Sequence, residues 1–146
     1  PRIDLSGVDV ARKILILARE TGQQMELDDI EKKNFLTEES LQAKNVDDFF
    51  EILKQDEDKF RSIYEKARAA KAQLKYVAEY SNGKAKVGLQ QVQADHPFYN
   101  LSGSDNIVLF FTDRYPEQPL IVKGAGAGAD VTASGIFADV IRIGKK

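Results

Sequence analysis

The sequence has no cysteine, which removes disulfides, thiolate catalysis and cysteine-based zinc sites together. Histidine is almost as scarce. The single His96 precedes Pro97 in a polar stretch, and without a second histidine neither a metal site nor a Ser-His-Asp triad is expected. No apolar run is long enough to span a bilayer, and no signal-peptide pattern is present. Neither charge sign dominates. With 21 basic and 23 acidic residues the formal charge is -2, which gives no reason to expect nucleic acid or an anionic membrane as partner. Repeats, linkers and low-complexity segments are also missing. What is there is 146 residues, 42% of them hydrophobic, enough for one cytoplasmic domain with a modest core.

Apolar periodicity orders the elements. A first helix is expected from Ser6 as N-cap to about Thr21, mostly buried, with Gly22 as a left-handed stop. A strand follows near Leu27 to Lys33, then a short helical turn at Thr37. Asn45 reads as the N-cap of a helix with Val46, Phe49, Phe50 and Leu53 on one stripe, and Asp56 opens another carrying Phe60, Ile63, Tyr64 and Ala67. From Leu74 the period drops to two. Ser81-Asn82-Gly83-Lys84 is a hairpin signal, because Asn-Gly accepts the positive φ values of a type I′ turn, and Ala85 to Val92 returns antiparallel. Ile107 to Phe111 reads as a central strand buried on both faces. Leu120 to Lys123 is a further strand, and a closing helix runs from about Val131 to Ile143. This order predicts an α+β domain with a mixed, largely antiparallel sheet covered by helices on one face.

Two features carry chemistry. Asp9 and Lys13 stand four apart where the first helix begins, so they share a face, with Ile16 between them and apolar residues along the adjoining arc. A lysine beside apolar surface can be tuned for proton transfer; the same spacing also serves as an ordinary helix-start ion pair. The second feature is Gly124-Ala-Gly126-Ala-Gly128-Ala-Asp130, which joins a strand to a helix. It is no dinucleotide fingerprint: the spacing is not Gly-x-Gly-x-x-Gly from Gly124, and the 16 residues after Asp130 are too few for a βαβ unit. Either it is a connection packed closely on a neighbouring strand, or it lets a ligand approach the backbone.

The string Arg2-x-Asp4-Leu5-Ser6-Gly7-x-Asp9-Val10-Ala11-Arg12-Lys13 resembles the substrate-site segment of homoserine dehydrogenases. Gly103-Ser104-Asp105-Asn106, Arg114-Tyr115, and the run from Pro119 through Gly124, Gly126, Gly128 and Thr132 to Asp139 resemble that family's carboxyl-terminal signature. The resemblance implies NADP- or NAD-dependent interconversion of L-aspartate 4-semialdehyde and L-homoserine, on the route to threonine, methionine and isoleucine. It makes Lys13 the proton-transferring residue, Asp9 its partner, and Asp4 and Asp9 substrate-binding residues. Gly126, Gly128 and Thr132 would border the nicotinamide, and no metal is implied. It further implies that residues 1 to 146 are the catalytic and dimerisation domain of a longer chain, without the dinucleotide-binding domain and inactive alone. Residues 129 to 146 would pack on that domain. The ending after the closing helix resembles bifunctional aspartokinase–homoserine dehydrogenases, and a homodimer or higher homo-oligomer is expected. A different class stays open at this point, a non-enzymatic α+β module for dimerisation or amino-acid sensing.

Overall fold

The computed structural model describes residues 5–126 and 128–145. Contacts divide the chain into two compact units, one running to Tyr99 and the other beginning at Asn100.

In the first unit, helix α1 (Val8–Glu20) is followed by a 3₁₀ turn (Leu27–Asp29), strand β1 (Glu31–Lys33) and helices α2 (Glu38–Leu41), α3 (Val46–Gln55) and α4 (Glu57–Ala69). Strands β2 (Gln73–Ser81) and β3 (Lys84–Val92) complete it. The sheet order is β1-β3-β2, with β1 parallel and β2 antiparallel to β3. Asn82 and Gly83 both take positive φ, 51° and 75°, as the hairpin turn requires, and pair Ser81 with Lys84. Period-two alternation then brings Tyr76, Ala78 and Tyr80 onto the side of Ala85 and Val87. There they pack on Ala11, Leu15 and Ala18 of α1, with Met25 and Ile30 closing the cluster.

A separate apolar cluster holds the helices together. Leu36, Ala43 and Phe49 are buried in it, with Phe35, Ile52, Leu53 and Phe60 against them. Polar termini reinforce it. The Thr37 hydroxyl donates to Asp56 Oδ2 at 2.8 Å, which links the start of α2 to the start of α4. The Asn45 side chain accepts from the Asp48 amide at 2.8 Å, the expected cap of α3. Of the stripe expected on α3, however, Phe49 is buried while Val46 and Phe50 stay exposed.

The second unit pairs β4 (Asp105–Thr112) with β5 (Tyr115–Ala125) in an antiparallel ribbon and ends in helix α5 (Ala129–Gly144). The α+β class and the order of elements are as expected; the strands fall into two sheets. Two expectations need correction. The Ile107 to Phe111 run is not a central strand, because among the described residues β4 has one neighbour and Phe111 is 61% exposed. Periodicity registers an apolar run but not what covers it. Nor is α1 mostly buried: Ala11, Leu15 and Ala18 line one narrow stripe, and Ile16 faces solvent.

Candidate functional site

Helix α1 begins without a side-chain cap. Ser6 was the expected N-cap, but Gly7 holds that position with φ 73° and ψ 10°, a left-handed conformation that glycine enters without steric cost. The chain bends there and leaves as a helix, with the Ala11 amide donating to the Gly7 carbonyl at 2.9 Å. Asp9 lies in the first turn, where a carboxylate suits the positive end of the helix dipole.

One turn further on, Lys13 Nζ stands 2.8 Å from Asp9 Oδ2. The two side chains are 55% and 63% exposed. Ile16 supplies the apolar neighbour expected from the spacing, but it is itself exposed. An ion pair this open adds little to stability. It does place an amine-bearing side chain beside a carboxylate on an accessible face. Asp4 lies outside the described residues.

Sequence reasoning missed what stands behind this helix start. A Cβ placed on Gly7 would fall on Tyr76 Cε1, Cζ and Oη, so the ring of a β2 residue occupies the space that any other residue at position 7 would fill. The Tyr76 hydroxyl donates to the Ser6 carbonyl at 3.5 Å, a weak bond. Burial pushes its phenol up from the usual tyrosine range, so it stays neutral. The available sign was a glycine immediately before a helix, in a position where a polar cap is the norm.

The glycine loop belongs to the second unit and links β5 to α5, as the sequence suggested. Gly126 lies close against its neighbour, since a Cβ there would require the side-chain amide of Asn106 to shift. Gly128 caps α5 with φ 144° and ψ 150°, a region practically restricted to glycine. Among the described residues, its chain neighbours apart, no atom lies within 4 Å of where its Cβ would be. Its carbonyl accepts from the Thr132 amide at 3.1 Å. This bare, exposed backbone beside a helix N-terminus fits the close approach of a flat ring or an anionic group. Lys13 and Asp9 thus belong to one unit, and Gly126, Gly128 and Thr132 to the other. Among the described residues no group of three or more His, Asp or Glu could hold a metal ion.

The family model for homoserine dehydrogenase matches residues 1–141. The chain belongs to the homoserine dehydrogenase family. It is 46% identical over 145 residues to a chloroplastic bifunctional aspartokinase/homoserine dehydrogenase 2 of Zea mays, covering 98% of this chain and 16% of that protein. The bifunctional aspartokinase/homoserine dehydrogenase of Haemophilus influenzae is 43% identical over 142 residues, covering 97% and 17%. The homoserine dehydrogenase of Schizosaccharomyces pombe is 41% identical over 146 residues, covering 98% and 39%. A crystal structure of a Candida auris protein of unknown function matches with a TM-score of 0.88 at 39% identity, covering 100% of this chain and 41% of that one. The chain spans less than half the length of each of these relatives.

Proposed function

We propose that this chain forms the substrate-binding and catalytic part of a homoserine dehydrogenase, interconverting L-aspartate 4-semialdehyde and L-homoserine on the route to threonine, methionine and isoleucine. The observation that carries the reading is the Asp9–Lys13 pair, an ammonium 2.8 Å from its carboxylate in a chain of this family. When bound, a nicotinamide cofactor would supply the hydride chemistry, its reduced form (NADPH or NADH) giving hydride to the aldehyde and its oxidised form (NADP or NAD) taking it from the alcohol. Reducing an aldehyde also needs a proton at the carbonyl oxygen. Lys13 is the donor in that direction and the acceptor in the reverse one. Asp9 holds the ammonium and, with Asp4, binds polar groups of the amino-acid substrate. Gly126, Gly128 and Thr132 border the nicotinamide side of the cofactor.

Against the non-enzymatic alternative stands the match to the homoserine dehydrogenase family model over residues 1–141, since an exposed ion pair on a helix would by itself serve either reading. Fusion to an aspartokinase accords with the higher identity to bifunctional relatives, 46% and 43% against 41%. Cytoplasmic residence accords with the lack of cysteine. The test is direct. The full-length protein should oxidise L-homoserine with NADP or NAD and reduce aspartate semialdehyde in reverse; no activity with either cofactor in either direction would overturn the reading.

Self-association belongs to the same proposal. Besides the α5 face, which the dinucleotide-binding domain would cover, Phe111 and Val122 of the β4–β5 ribbon are more than half exposed and Leu120 and Ile121 about half. Apolar surface of that kind is usually covered by another chain or domain. A homodimer of the full-length protein is therefore expected, and light scattering that returns a monomer mass at high micromolar concentration would count against it.

A further inference from the structure

Gly7 is the joint from which α1 departs, and α1 carries both members of the Asp9–Lys13 pair. Lys13 lies six residues beyond it, roughly 9 Å along the axis at about 1.5 Å per residue. A small change in the angle at the joint therefore moves the ammonium appreciably.

The ring atoms of Tyr76 fill the hollow left by the missing Gly7 side chain. Tyr76 is itself held from two sides: it pairs with Leu89 across the hairpin, and Phe35 packs edge-on to its ring at 6.2 Å and 63°. Phe35 is in turn braced edge-on by Phe60 of α4 at 6.1 Å. A line of edge-on ring contacts thus runs from α4 through Phe35 to the joint.

We propose that Tyr76 is a positioning residue for the reaction: seated against Gly7, it fixes the direction in which α1 leaves the joint and thereby where Asp9 and Lys13 are held. This rests on the roles of Lys13 and Asp9 given above. Tyr76 touches no reacting atom in this account and acts only through α1.

The test compares Gly7→Ala, Tyr76→Leu, the double variant and Tyr76→Phe in the full-length enzyme, with Lys13→Ala and Phe49→Leu as references. Gly7→Ala drives a methyl group into the ring and also strains the left-handed backbone at φ 73°, and it should lower kcat for homoserine oxidation about 10- to 100-fold, the scale expected when a reacting group is misplaced by an ångström or less. Tyr76→Leu, which vacates the hollow, should lower kcat as well. The double variant should lose less than the product of the two single losses, because the leucine removes the ring atoms that the new methyl group meets. Tyr76→Phe keeps the ring and should stay within a few-fold of the parent. The pH profile of kcat should shift in Gly7→Ala and not in Phe49→Leu, a core change elsewhere in the unit.

If Gly7→Ala and Tyr76→Leu lower only the melting temperature, as Phe49→Leu does, while Lys13→Ala is impaired, the positioning role is overturned and the catalytic reading survives. If Lys13→Ala keeps full kcat, both fall together. Should Gly7→Ala fail to fold, Tyr76→Leu and Tyr76→Phe decide: equal kcat and equal pH profiles in the two would overturn the proposal.

Discussion

Lys13→Ala in the full-length enzyme should lower kcat about 10²- to 10⁴-fold, the usual contribution of a positioned general acid or base, with an unchanged circular-dichroism spectrum. The fold has little at stake there. The Lys13–Asp9 pair is more than half exposed, and such pairs contribute a few tenths of a kcal/mol to about 1 kcal/mol. Lys13→Arg should not restore the rate, because a guanidinium keeps the charge but does not give up its proton near neutral pH. Asp9→Asn, which removes the carboxylate's charge and preserves its shape, should reduce both substrate affinity and rate. Steady-state kinetics separates this from a merely structural pair, which would leave kcat and KM nearly unchanged in all three variants. A Lys13→Ala enzyme with near-normal kcat would sink the assignment.

The second large effect is on stability. Phe49→Ala should destabilise the first unit by about 3–5 kcal/mol, the range seen when a buried aromatic is truncated and the cavity only partly collapses. Phe49 is 1% exposed and central to the cluster with Leu36 and Ala43 that ties α2 to α3. Against a typical total of about 5–15 kcal/mol, such a loss would bring the unit close to unfolding at 37 °C. Urea denaturation followed by far-UV circular dichroism measures it. A loss below about 1 kcal/mol would mean that the neighbouring rings close the gap.

The helices, the hairpin and the order of elements were legible in the sequence because each rests on local chemistry. Asn45 caps where an Asn should, Asn82-Gly83 turns where that pair can, and alternation from Leu74 marks β2. The site was half legible. Four-residue spacing brought Asp9 and Lys13 together, since helical geometry alone decides that contact. Resemblance, not spacing, gave them roles.

Long-range partners were what the sequence withheld. Nothing near Gly7 in the chain announces Tyr76, almost seventy residues away, and the need for glycine there comes from that ring as well as from the left-handed backbone at the turn. The neighbour of Gly126, an Asn106 side chain from the adjoining strand, is likewise not announced by the local sequence. Ile107 to Phe111 misled for a related reason: a run of apolar residues records that a strand needs cover without recording which element provides it.

The one parallel pairing, Glu31–Lys33 against Lys86–Gly88, bears on how the first unit assembles. The β2–β3 hairpin needs only a two-residue turn and can form on the microsecond scale. Strand β1 can join it only after a loop of about fifty residues has closed, an entropic cost that falls before any reward from pairing. The three short helices between β1 and β2 take up that loop and shorten it as they form. On this basis β1 is the last strand added during synthesis or refolding and the first to detach, and its amides should exchange with solvent ahead of those on the hairpin side of β3.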